Sequence, residues 1–183
     1  MKHLFLWGGA GLLVVGGIIA LLSIFTSEDE TVLGSDYSKE MPYEGATHVP
    51  EGTAVEYRSH PPTSGNHWPD PLLDGIYDTE KPDEAIVHSL EHGRIWISYK
   101  PEIGEEVISA LKEAVSGQRR IIITPRAANE TDIALASWTR LDAFNVSESD
   151  VSAELQQRIL DFVNRYRDHG PEYVPQMNGK RYE

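Results

Sequence analysis

Hydrophobic and polar positions divide the chain into three parts. Residues 4–25 (LFLWGGAGLLVVGGIIALLSIF) are an uncharged apolar run of 22 residues, and a helix crosses a ~30 Å hydrocarbon layer with ~20. The run predicts one N-terminal transmembrane helix. A cleavable signal peptide is the competing reading, but its apolar core is typically ~7–15 residues long and ends at a small-x-small site, whereas residues 24–27 read IFTS. Residues 27–47 are acidic and polar with scattered glycine, the composition of a linker. The expected organisation is a short cytoplasmic tail and anchor over 1–26, an acidic linker over 27–47, and a globular domain over 48–183.

Within that domain the pattern shifts between the period of strands and the period of helices. A short strand is predicted at 54–57 (AVEY), followed by a long segment rich in Pro, Gly and Asp as far as Pro82. Irregular segments of that length are uncommon within a domain and often functional. The stretch 85–99 (AIVHSLEHGRIWISY) is strongly apolar, and 94–99 has the β-branched and aromatic content of a strand. Ile103, Val107, Ala110, Leu111, Ala114 and Val115 then recur at helical spacing, with Gly117 as the stop. Strands are predicted at 120–124, ended by Pro125, and at 133–138. Val151, Leu155, Ile159, Phe162, Val163 and Tyr166 mark a last amphipathic helix, closed by Gly170 and Pro171. The order strand, helix, strand, strand, helix predicts an α+β fold: a small, mainly antiparallel sheet with two amphipathic helices packed on one face.

Charge adds orientation and excludes a class of partner. Lys2 precedes the apolar run and Glu28, Asp29 and Glu30 follow it, so the expected topology is N-in, C-out, with a single-pass protein of the cell membrane carrying its domain outside the cytoplasm. A formal net charge of −13 opposes binding to phosphate backbones, so nucleic acid is not an expected partner. The membrane, and another protein of the envelope, are. The chain has no cysteine, so any metal site must use histidine, carboxylate or methionine.

Four histidines fall in two close pairs. His88 and His92 are four residues apart, which places them on one side of either a helix or a strand. His60 and His67 bracket PPTSGN, where the prolines stiffen the chain and Ser-Gly-Asn favours a turn. Neutral imidazole is a common ligand for zinc and copper, and two converging pairs would build a three- or four-coordinate site. His48 and His169 stand alone and read as structural. Three accounts are open at this point: a copper or zinc site, histidines that pin an irregular loop by hydrogen bonds, and a zinc hydrolase in which residues 88–92 supply the H-x-x-E-H pattern with Glu91 as base. No G-x-S-x-G accompanies Ser64, and no phosphate-binding glycine loop is present, which disfavours serine hydrolases and nucleotide binding.

PPTSGNHWP at 61–69, VHSLEHGRIWISY at 87–99 and IALASWTR at 133–140 together resemble domain of unknown function family 3105 (DUF3105), over roughly residues 48–175. The resemblance implies that Ser64, His67, His88, Glu91 and His92 are the positions to follow. It places His60 just outside the shared blocks and implies no activity. The expected ligand set is therefore His67, His88 and His92, with Glu91 and His60 as further candidates.

Overall fold

A computed structural model describes residues 33–147 and 152–182. The predicted membrane span at 4–25 lies outside the described residues, and among the described residues no helix is long and apolar enough to cross a membrane. Among the described residues the fold is α+β, with six strands and three helices: β1 (Lys39–Glu40), β2 (Gly75–Ile76), α1 (Asp83–Glu91), β3 (Ile95–Tyr99), α2 (Glu105–Ala114), β4 (Ile121–Pro125), β5 (Ile133–Ser137), β6 (Arg140–Phe144) and α3 (Ala153–Tyr166).

The strands form one sheet in the order β1-β6-β5-β3-β4-β2. β3 and β4 pair in parallel, joined by the α2 crossover, and β2 adds to β4 in parallel, while β3/β5, β5/β6 and β1/β6 are antiparallel. The expected mainly antiparallel sheet is thus corrected to a mixed one. The reason lies in the helix between the β3 and β4 runs: a helical crossover returns the chain in its original direction, so the strands it joins run parallel. Two further expectations change. Residues 54–57 form no strand, and within the stretch read as linker Lys39 and Glu40 pair with β6 as an edge strand.

Side chains alternate across the central strands and feed two cores. Ile95, Ile97, Tyr99, Ile121, Ile123, Ile133 and Leu135 point to one face, where α2 supplies Val107 and Leu111 and α3 supplies Leu155, Ile159, Phe162 and Val163. Trp96, Ile122 and Ala136 point to the other, against Ala85, Ile86 and Leu90 of α1 and Leu72 of the preceding loop. Both faces are covered, so β3, β4 and β5 read as continuous apolar runs rather than as alternating ones. A leucine or isoleucine in these layers is worth about 2–5 kcal/mol against alanine.

α1 is the element the hydrophobic pattern does not announce. Its nine residues merge with β3 into one apolar stretch, yet local chemistry marks both ends. The Pro82 carbonyl accepts the first bonds from Ala85 and Ile86, and Asp83 and Glu84 sit in the first turn, where carboxylates favour the positive end of the helix dipole. At the other end Gly93 takes φ +77°. Gly93 N–H bonds the Leu90 carbonyl and Arg94 N–H bonds the Ser89 carbonyl, the paired Schellman closure that favours glycine. That turn swings the chain from α1 into β3 and leaves His88, Glu91 and His92 at the helix C-terminus.

Candidate metal centre

The long segment before α1 wraps over that helix end and delivers His67. His67 N–H bonds the Thr47 carbonyl and Val49 N–H bonds the His67 carbonyl, a parallel bridge that sets His48 beside His67. The ring centroids of His48, His67 and His88 lie 4.7–4.9 Å from one another. His67, His88 and Glu91 are buried, and His48 sits exposed at the rim. One potential ligand atom from each of His48, His67, His88 and Glu91 lies within 4.8 Å of the others.

Hydrogen bonds set which ring nitrogens face inward. His67 Nδ1 is 2.8 Å from the Gly65 carbonyl, and His88 Nδ1 is 2.7 Å from the Trp68 carbonyl. A carbonyl only accepts, so both Nδ1 atoms carry the hydrogen and each Nε2 keeps its lone pair. Histidine ligands are held in this way, with the second nitrogen donating to a carbonyl. His67 Nε2 stands 3.1 Å from Glu91 Oε2, and with the ring hydrogen on Nδ1 this fully buried nitrogen has no hydrogen-bond partner.

Burial sets the protonation of the group. Desolvation pushes His88 down to about 3 and lowers His67, each opposed by its backbone hydrogen bond. Desolvation also lowers His92, against the pull of Glu172. Glu91 is pushed up to about 7, first by burial and then by the neighbouring Glu172 carboxylate. Neutral imidazoles around a carboxylate that ionises near neutrality are the forms that bind zinc or copper(II).

The structure redistributes the residues singled out in the sequence. His67, His88 and Glu91 lie together, and His48, read as structural, joins them. The missing signal for His48 is a backbone bridge to a residue 19 positions away, which no local spacing reports. His92 falls instead in a second group with Glu91 and Glu172. His60 is in neither group: it is exposed, and its Nδ1 lies 3.5 Å from Arg126 Nη2, whose guanidinium pairs with Asp83. It stands apart from the cluster, because the turn after Pro61 and Pro62 carries His67 inward and leaves His60 on the outside. Ser64 accepts from Glu44 N–H and donates to the Pro42 carbonyl, so it fastens the loop.

The H-x-x-E-H segment does occupy a helix end, with His88 and Glu91 in α1 and His92 as its C-cap. In the hydrolase pattern both histidines hold one ion and the glutamate acts as base. Here Glu91 groups with His88, while His92 groups with Glu172 as well.

The arrangement defines a histidine and carboxylate cluster mounted on one helix end of a mixed α+β sheet. The family profile described as a protein of unknown function (DUF3105) matches residues 48–179, and the chain belongs to that family. No curated protein matches the chain. No solved structure matches it either.

Proposed function

We propose that the domain binds a transition metal ion, copper or zinc, through His67, His88 and Glu91, with His48 completing the set. One observation carries the reading: the Nδ1 hydrogens of His67 and His88 are both committed to backbone carbonyls, while the opposite side of the His67 ring ends on a buried nitrogen without a hydrogen-bond partner. A buried polar atom left so costs about 1–3 kcal/mol, and a cation removes that cost. Three nitrogens and one oxygen with no thiolate suit zinc or copper(II). Three ligands are buried and one is at the rim, which leaves a route for exchange and fits storage or delivery of the ion.

In this reading residues 4–25 anchor the chain and the acidic stretch after them faces outward, so the domain would meet metal outside the cytoplasm. The competing account is a metal-free envelope interaction module. The same two carbonyl bonds favour it, because they also brace the loop against α1. Metal-stripped full-length chain, purified in detergent without a histidine tag, should take up zinc or copper, and His67→Ala with His88→Ala should abolish uptake. Equal uptake by the double variant would favour the bracing account.

A further inference from the structure

We propose that Glu91, His92 and Glu172 form a second cation position, joined to the first through Glu91, so that the centre holds two divalent ions bridged by one carboxylate. This rests on the ion-binding reading of His48, His67, His88 and Glu91 and extends it. Glu91 belongs to both groups, and within each group the ligand atoms lie within 4.8 Å of one another. A carboxylate has two oxygens, and ions that share one typically stand ~3.5–4 Å apart. The His88 and His92 rings, one in each group, have centroids 4.5 Å apart.

The contact between His92 and Glu172 has the spacing of two ligands on one ion. His92 Nε2 is 3.4 Å from Glu172 Oε2. A charge-assisted hydrogen bond closes to ~2.7–2.9 Å, whereas two atoms bound tetrahedrally at ~2.0–2.2 Å stand ~3.3–3.6 Å apart. The ring has no compensating bond elsewhere, since its Nδ1 is buried without a hydrogen-bond partner.

Glu172 reaches this place on a backbone that is fastened down. Its N–H bonds the Glu91 carbonyl at 3.1 Å. Two residues earlier, Gly170 packs so tightly on α1 that a Cβ there would collide with the Glu91 carbonyl and the Gly93 nitrogen. Two arginines complete the clamp. Arg94 Nη1 donates to the His92 and Val174 carbonyls at 2.9 and 2.7 Å, and Arg120 donates to the same pair at 2.5 and 3.1 Å. An otherwise exposed glutamate is thereby held over the helix end by its own main-chain bond to Glu91 and by two arginines that tie Val174 to His92.

The test is a count of ions. Metal-stripped full-length chain in detergent is titrated with Co(II), the bound ions are counted by native mass spectrometry, and their spin coupling is followed by electron paramagnetic resonance. The expected result is two ions per chain, with the signal of the first equivalent diminished by the second through the shared Glu91. Glu172→Ala, a change at an exposed side chain, should bind one ion with the first affinity unchanged and without coupling. His92→Ala should give the same count. One ion in the unaltered chain, or two ions in Glu172→Ala, would overturn the second position and leave the first standing. Loss of both ions in Glu172→Ala would overturn the separation into two positions. No ion in the unaltered chain would remove both proposals together.

Discussion

His67 Nε2 and Glu91 Oε2 face each other across 3.1 Å without a hydrogen bond between them, and the imidazole hydrogen is committed on the far side to the Gly65 carbonyl. Burial favours the neutral forms, raising the carboxyl and lowering the imidazole. A cation at this position would compete with the Glu91 proton, which is held up to about pH 7.

Replacing Glu91 with glutamine separates folding from binding. The acid has its pKa raised from 4.5 to about 7 on folding, so the native state holds more protons between those values and the metal-free chain loses stability as pH rises through them. Glu91→Gln removes this loss. It should stabilise the metal-free chain by about 1–3 kcal/mol at pH 8, change it little at pH 4, and weaken metal binding. Urea denaturation at the two pH values checks this, and equal effects at both would contradict it.

His88 gives the opposite slope. Its folded pKa is lowered to about 3 from 6.5, so the unfolded chain takes up a proton that the native chain refuses, and stability falls as pH drops below 6.5. The lowered His67 and His92 add to this loss, and between about 4.5 and 6.5 the gain from Glu91 offsets only part of it. Below 4.5 that offset ends. Thermal melts of the metal-free chain should therefore fall from pH 6.5 downward and more steeply below pH 4.5, and His88→Gln should flatten the acid limb. An unchanged acid limb would count against this assignment.

His48 and His60 discriminate between the observed cluster and the pair suggested by spacing alone. His48→Ala should weaken zinc binding by about tenfold or more, the scale of losses around metal sites, whereas His60→Ala should leave it within about twofold. Titration against a competing chelator measures both. The reverse ranking would place the ligand set at the turn around Pro61 instead.

Gly170→Ala should destabilise the chain by about 2–4 kcal/mol, because the methyl meets main-chain atoms of α1 that cannot rotate away. A loss below about 0.5 kcal/mol in urea denaturation would mean that the segment carrying Glu172 is free to shift.

Periodicity alone located most of the sheet core and both long helices. The runs around Ile97, Ile122 and Leu135 became β3, β4 and β5, and the spacings through Val107 and Ile159 became α2 and α3. What escaped was short or paired at a distance. β1 and β2 have two residues each, too few for any period to show. β6 carries Arg140 and Asp142; the buried Asp142 is matched by Arg158 of α3, a partner that the local pattern cannot supply. α1 was hidden by the apolar stretch it shares with β3. In the centre itself, His88 and Glu91 were legible because one helix end carries both, and His67 because of its turn. His48 and Glu172 arrive through main-chain bonds from distant segments, to His67 and Glu91 respectively, and no motif encodes those meetings.

The clamp around Val174 also has a consequence for the order of events during synthesis. Arg94 and the carbonyl it holds are 80 positions apart, and a ribosome adds ~5–20 residues per second. For several seconds, then, the growing chain has made His48, His67, His88 and Glu91 but not Glu172. If both proposed positions bind ions, a nascent domain can offer at most the first set of side chains, so a second ion would follow synthesis of the segment that carries Glu172.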